Sequence, residues 1–126
     1  MYYTDYMQNI KSIVNSKNKY TNLLMTFVGD RPEWFKQYAD TCDWGFLYPP
    51  KSILESFDYS NKEDYIAKYW NYLEKLWNSI IFIFGAHASK DVVFLFNNED
   101  ERSKLHTSCL NKFLTEHAFP CEYFKY

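Results

Sequence analysis

The clearest pattern of apolar and polar positions lies in residues 61–78 and predicts an amphipathic helix. Ser60 and Asn61 can cap its start, and charged or amide side chains cover one side. The other side carries apolar residues at helical spacing, namely Ile66, Tyr69, Trp70, Leu73, Leu76 and Trp77. We therefore expect this helix to lie on a large hydrophobic core.

Several shorter apolar runs predict β-strands. Residues 80–84 and 92–96 are uninterrupted apolar runs joined by a turn-rich loop, which is typical of two buried strands. An earlier run at residues 23–28 ends at Gly29 and predicts another buried strand. The alternating apolar positions in residues 119–126 predict a final strand.

Helices are predicted for most of the remaining chain. Residues 4–15 begin with possible capping side chains and carry apolar positions on one side. Residues 30–42 begin with an Asp-Arg-Pro sequence that suits a helix start, and residues 99–117 begin with three acids that favour a first turn. A short helix is predicted at residues 51–57, after an irregular or edge-strand segment.

The resulting order is α-β-α-(irregular)-α-β-β-α-β, which predicts an α+β fold in a single globular domain of residues 1–126. We expect a small mixed or antiparallel sheet with helices packed on it. The alternative is an all-α bundle, in which residues 61–85 and 91–117 each form one long helix. The length suffices for one hydrophobic core without disulfides or metals.

Charge and composition indicate which partners, which cell compartment and which kind of source organism to expect. The formal net charge of −2 gives no overall field that would attract nucleic acid or anionic lipid. Three cysteines, an odd number, predict reduced thiols inside a cell, and the N-terminus has no signal-peptide pattern. We therefore expect a cytoplasmic protein with no membrane segment. Few arginines beside many Lys, Asn, Ile and Tyr residues are typical of a virus, a phage or an AT-rich bacterium, so the cytoplasm would be the host's if the source is viral.

Aromatic residues are the most unusual feature, at 21% of the chain. Such a number exceeds what one small core is expected to hide, so some should serve as exposed anchors for a protein partner. The candidate surface interleaves aromatic and acidic residues, namely Trp34, Tyr38, Asp40, Asp43, Trp44, Phe46 and Tyr48. These features favour a non-enzymatic protein-binding module, such as an inhibitor, immunity protein or anti-defence factor, whose partner is basic or itself binds nucleic acid. The same kind of surface would also suit a homodimer.

Two other classes of function stay open. A small enzyme or nucleotide-binding protein would have its site at the strand ends near Asp30, Arg31, His87 and Asn97, although no phosphate-binding glycine motif occurs. A nucleic-acid-binding protein would use the Lys-rich N-terminal helix.

One set of residues has the chemistry of a zinc site. His106, Cys109, His117 and Cys121 follow the spacing H-x2-C-x7-H-x3-C, and imidazole and thiolate are preferred zinc ligands. The first three also fall on one stripe of a helix, which favours packing in the core. We therefore expect no metal and no cofactor.

Overall fold

The computed structural model describes residues 1–29, 33–34, 41–97 and 99–126, with the backbone alone at 41–43. Its strands are β1 (Tyr2–Tyr6), β2 (Leu24–Phe27), β3 (Thr41–Asp43), β4 (Val92–Phe96) and β5 (Cys121–Tyr123). Its α-helices are α1 (Ile10–Asn15), α2 (Lys51–Leu54), α3 (Lys62–Ala86) and α4 (Glu101–Glu116). Short 3₁₀ helices cover Met7–Asn9, Lys17–Lys19 and Gly45–Leu47.

Within the described residues, the strands form one sheet in the order β3-β2-β4-β1-β5, and all four neighbouring pairs are parallel. The α+β prediction is confirmed, whereas the expected mixed or antiparallel sheet is wrong. Parallel neighbours need crossover connections, and α1, α3 and α4 supply them. The all-α alternative is excluded, although its single long helix from residue 61 is close to the observed α3.

Strand β4 lies in the middle of the sheet and is buried on both faces. On one face, Val92, Phe94 and Phe96 join a core made with α3 and α4. On the other face, Val93 and Leu95 join a second core made with α1. Burial on both faces explains why this strand is a continuous apolar run rather than an alternating one.

The first predicted helix is wrong over its first half, because residues 2–6 form β1. This strand pairs with β4 on one side and β5 on the other, so its backbone groups are bonded within the sheet. Asp5 does not begin a helix there: its Oδ1 accepts hydrogen bonds from Tyr6 N (2.7 Å) and from Asn9 Nδ2 (2.8 Å). Pairing with β4 and β5 overrides the local capping signal, and α1 begins only at Ile10.

The strand predicted at residues 80–84 is also wrong, because α3 continues through it to Ala86. Ile80 and Phe84, which are four residues apart, are buried, while Ile81 and Phe82 between them are exposed. This spacing matches a helical face and not the alternation of a strand. Asn61 caps the start of α3 as predicted, since its side chain accepts a hydrogen bond from Asp64 N.

The strands predicted within residues 23–28, 92–96 and 119–126 are confirmed as β2, β4 and β5, and the helices at 51–57 and 99–117 as the shorter α2 and α4. The helix predicted at residues 30–42 falls largely outside the described residues, and its predicted end lies in β3.

The outer edge of β5 is capped by a side chain of α4. Thr115 Oγ1 accepts a hydrogen bond from Cys121 N (3.1 Å) and donates one to Cys121 O (3.3 Å). These two backbone groups would otherwise be open to pairing with another strand. The side chain of Thr115 therefore protects this edge of the sheet.

Candidate functional site

The seven residues of the predicted partner surface differ in exposure, and not all of them are described. Trp34 is 45% exposed, whereas Trp44 is 6% exposed and belongs to the core. Phe46 and Tyr48 are half-buried. Tyr38 and Asp40 lie outside the described residues, and the side chain of Asp43 is not described. Among the described members, only Trp34 is well exposed, so this surface stays a prediction.

Trp44 is held in an aromatic cluster under α3. Its ring lies 5.5 Å from that of Phe84 and 5.4 Å from that of Phe94, and it stacks on Phe46 at 5.9 Å. Its backbone N–H donates to Phe27 O at 3.2 Å. Edge-to-face and stacked contacts of this kind contribute to packing beyond buried area alone. Trp44 therefore anchors the segment after β3 to the core and offers little surface to a partner.

His106 is a deeply buried ionisable residue near the carboxyl end of β4. It is 1% exposed and surrounded by aromatic rings, with the ring of Tyr48 at 5.5 Å and that of Tyr69 at 5.6 Å. Its Nε2 lies 2.6 Å from the hydroxyl of Tyr65. The sequence pattern indicated either a zinc ligand or core packing for His106, and the core packing is what the structure shows. Its partner was not predicted, because Tyr65 lies 41 residues away on another helix.

The ionisation of this pair follows from burial. Desolvation, together with the nearby charge of Arg102, lowers the pKa of His106 to about 4. Desolvation raises the pKa of Tyr65 to about 12. At neutral pH the imidazole is therefore uncharged and the phenol protonated, so the hydroxyl of Tyr65 donates to Nε2. A neutral histidine in a closed aromatic cluster stabilises the fold. Its Nε2 accepts the hydrogen bond from Tyr65 and is therefore not free for proton transfer.

In proteins with a parallel sheet, ligands bind at the carboxyl ends of the strands, in the crevice between two neighbouring strands whose following helices lie on opposite faces of the sheet. Here those neighbours are β1 and β4, which lead to α1 and α4. The crevice between their ends is closed by Gln8, whose Oε1 accepts a hydrogen bond from Glu99 N at 3.0 Å. Beside it, Asp5 is 6% exposed and its Oδ2 accepts a hydrogen bond from Tyr126 at 2.5 Å. Both of its oxygens have partners, so Asp5 links the end of β1 to the 3₁₀ helix that follows it and to Tyr126.

An open cavity lies next to this crevice, at the carboxyl ends of β2 and β3. It has a volume of about 310 Å³ and is lined by Val28, Gly29, Gly45, Tyr48, Pro49 and Leu54. Gly29 packs closely against Asn97, since an added Cβ would lie 2.5 Å from Asn97 Oδ1 and would force that side chain to move. This size is at the lower end of small-molecule sites.

The alternative site near Asp30, Arg31 and His87 is described only in part, because Asp30 and Arg31 lie outside the described residues. The site therefore stays a prediction, and of its members only His87 and Asn97 can be placed relative to the carboxyl edge of the sheet. Asn97 is at this same edge. His87 instead precedes β4, and its ring packs on Trp44 at 5.2 Å. Burial lowers the pKa of His87, with Lys90 as a second cause.

The four residues of the zinc pattern each have another partner or environment. His117 stacks on Phe113 at 3.9 Å and donates from Nδ1 to its carbonyl at 2.7 Å. Cys121 Sγ lies 3.2 Å from Asn111 Oδ1. Burial raises the pKa of both Cys109 and Cys121, which keeps the thiols protonated. Among the described residues, no three His, Cys, Asp or Glu side chains are placed to hold a metal ion.

The lysines of the N-terminal region do not lie on one helix. Lys11 is on α1, whereas Lys17 and Lys19 are in the 3₁₀ helix that follows. Lys17 and Lys90 line a cavity of about 320 Å³ beside residues 22–24, at the amino end of β2. No described helix is both long enough and apolar enough to cross a membrane.

The outer face of the second half of α3 carries an unexpected apolar surface. Phe82 is 68% and Ile81 42% exposed, and Asn78 and Gly85 lie beside them on the same face. We call these four residues the α3 patch. An added Cβ on Gly85 would meet nothing within 4 Å. From residue 76 to residue 89 the chain contains no Asp, Glu, Lys or Arg. Sequence analysis missed this surface because it assigned the apolar run to a buried strand.

Comparison with known proteins gives no match: no protein-family model, no curated protein and no solved structure matches this chain.

Proposed function

We propose that this chain is a non-enzymatic protein-binding module that contacts its partner through the α3 patch. The observation that carries the proposal is the exposure of Phe82 on a helix whose opposite face is buried in the core. Exposed apolar side chains grouped on one face of an element are typical of interaction sites. Large aromatic side chains are also among the residues that contribute most to binding energy.

The charge around the patch supports a partner surface that is apolar rather than basic. Because residues 76–89 carry no charged side chain, docking would bury no unpaired charge of this chain. This differs from the aromatic and acidic surface expected from the sequence, which favoured a basic partner. A small module of this kind acts by covering a partner's surface, which is how an inhibitor or an immunity protein would use it.

The test is affinity capture with purified protein from a lysate of the source organism. We expect Phe82→Asp to reduce the captured partner at least tenfold, because a carboxylate cannot be buried unpaired in an apolar contact. The matched control is Tyr59→Asp, which alters another exposed aromatic residue (69%) outside the patch. Circular dichroism should show that both variants remain folded. Equal capture by wild type and Phe82→Asp would contradict the proposal.

A second candidate function, the binding of a small ligand, is supported by the cavity at the carboxyl ends of β2 and β3. Its position matches the edge at which parallel sheets bind ligands, and Gly29 and Gly45 let the backbone line it closely. A thermal-shift screen of nucleotides and small metabolites tests this function. We expect a bound compound to raise the melting temperature of wild type but not of Leu54→Trp, whose larger side chain fills the cavity. A compound that stabilises both proteins equally would bind elsewhere.

A further inference from the structure

We propose that the cavity at the amino end of β2 binds a phosphate group. The cavity has a volume of about 320 Å³, and its described lining consists of Lys17, Asn22, Leu23, Leu24 and Lys90. A volume at the lower end of small-molecule sites suits a ligand that is little larger than the phosphate itself. The cavity shares no residue with the α3 patch, so this inference does not depend on the proposed function.

The charge of the lining is the first observation that identifies the ligand. Lys17 comes from the 3₁₀ helix after α1 and Lys90 from the loop before β4, so the fold brings together two ammonium groups that are far apart in the sequence. The described residues that line the cavity include neither Asp nor Glu. A concave site lined by charge of one sign attracts ligands of the opposite sign, so this lining favours an anion.

Asp91 directly follows Lys90, but its carboxylate already has partners elsewhere. Its Oδ2 accepts a hydrogen bond from Thr21 N at 2.6 Å, and its Oδ1 lies 3.5 Å from the ammonium group of Met1. These contacts offset the negative charge of Asp91. The positive charge of the two lysines is therefore not cancelled by the acid next to Lys90 in the chain.

The backbone of residues 22 and 23 is the second observation. Asn22 has a φ of 46°, the left-handed conformation that occurs in backbone nests, where successive N–H groups bind an anion. Thr21 N and Leu24 N donate to Asp91. Among the described residues, no group accepts a hydrogen bond from the N–H of Asn22 or of Leu23 between them. Leu23 is 6% exposed, and a buried backbone N–H normally has an acceptor, which an anion at this site provides.

The number of donors favours phosphate over a carboxylate. Two ammonium groups and two backbone N–H groups belong to the lining. A phosphate group offers three strong acceptor oxygens and up to two negative charges, whereas a carboxylate has two oxygens and one charge. Lysine is also a common ligand of phosphate in proteins, as a point charge.

Proton–nitrogen correlation NMR on the full chain tests the site directly. Sodium phosphate is titrated at pH 8 between about 0.1 and 50 mM, a range suited to weak binding, with sodium chloride adjusted to hold the ionic strength constant. We expect the amide signals of Asn22 and Leu23 to move downfield and to saturate. Lys17→Gln and Lys90→Gln should each weaken the affinity at least tenfold. Lys75→Gln, which removes an exposed lysine of α3, is the matched control and should leave the affinity unchanged.

A second titration with glycerol phosphate distinguishes the two sources of the phosphate group. Tighter binding than that of the inorganic ion identifies an organic phosphate, whereas equal or weaker binding identifies the free ion, and either result supports the site. The inference is overturned if the Asn22 and Leu23 signals do not shift, if they shift without saturating, or if Lys75→Gln weakens binding as much as Lys90→Gln. The wild-type titration needs no variant, so a variant that fails to fold does not remove the test.

Discussion

Acidification should destabilise this fold by about 3 kcal/mol through His106 alone. Burial, with Arg102 as a second cause, lowers the pKa of His106 in the folded protein to about 4, against 6.5 for the free side chain. Between these two pH values the unfolded chain binds a proton that the folded chain does not. The stabilisation is therefore fully present above pH 6.5 and is lost as the pH falls to 4. The pKa difference, at about 1.4 kcal/mol for each pH unit, gives about 3 kcal/mol.

Urea unfolding followed by tryptophan fluorescence, at pH 7, 6, 5 and 4, measures this loss. His106→Gln is the matched variant, because its amide can still accept the hydrogen bond from Tyr65 but does not titrate. Carboxylates titrate in both proteins, so the wild-type loss of unfolding free energy should exceed that of the variant by about 3 kcal/mol. Burial also lowers the pKa of His87, so the same measurement on His87→Gln gives the contribution of that histidine to the pH dependence. The reasoning is refuted if His106→Gln loses as much stability as wild type between pH 7 and 4.

Removal of the partner hydroxyl tests the same cluster at constant pH. Tyr65→Phe leaves the buried Nε2 of His106 without its donor, so we expect a loss of about 1–3 kcal/mol at pH 7. Tyr59→Phe, at a residue that is 69% exposed, should change the unfolding free energy by less than about 0.5 kcal/mol. Equal effects of the two substitutions would contradict the description of the His106 cluster.

Three further substitutions test the fold by the same unfolding measurement. Phe84→Ala should lower the unfolding free energy by about 3–5 kcal/mol and Phe82→Ala by less than about 0.5 kcal/mol, because the helix buries only Phe84. Similar losses for both variants would instead indicate a strand, in which the two side chains lie on the same face. Thr115→Val should cost about 1 kcal/mol and increase aggregation measured by light scattering, because the Cys121 backbone loses its cap; an unchanged aggregation rate would show that this edge needs no protection. Ala118→Gly should stabilise the protein by up to about 1 kcal/mol, because Ala118 has a φ of 71°, and a loss of stability would contradict strain there.

The helices and buried strands that could be predicted are those whose pattern is strong within one segment. Asn61 capped a long amphipathic stretch, and the apolar run of β4 was bounded by polar turns, so local sequence was enough for both. The run at residues 80–84 was ambiguous, because continuous apolar residues suit a buried strand and a helix equally well. The structure has a helix here, because only Ile80 and Phe84 of this run are fully buried, at helical spacing, and no residue between Trp77 and Gly85 breaks the helix.

The candidate site was harder to predict than the fold. Sequence analysis placed the aromatic partner surface around Trp44, but that ring is enclosed by Phe84 and Phe94, which come from distant parts of the chain. Core packing of His106 was favoured over zinc binding from its helical spacing, but its hydrogen bond to Tyr65 on another helix could not be predicted. Exposure and pairing depend on contacts between distant segments, and a single sequence shows neither.

The sequence by itself determined the class of fold, most of the helices, and an excess of aromatic residues. These follow from periodicity, capping and composition, which act over a few neighbouring residues. The tertiary structure alone decided that the strands are parallel, that residues 2–6 form a strand, and which aromatic side chains remain exposed. Strand pairing and burial are set by contacts between distant segments, and those contacts left Phe82 exposed and Trp44 buried.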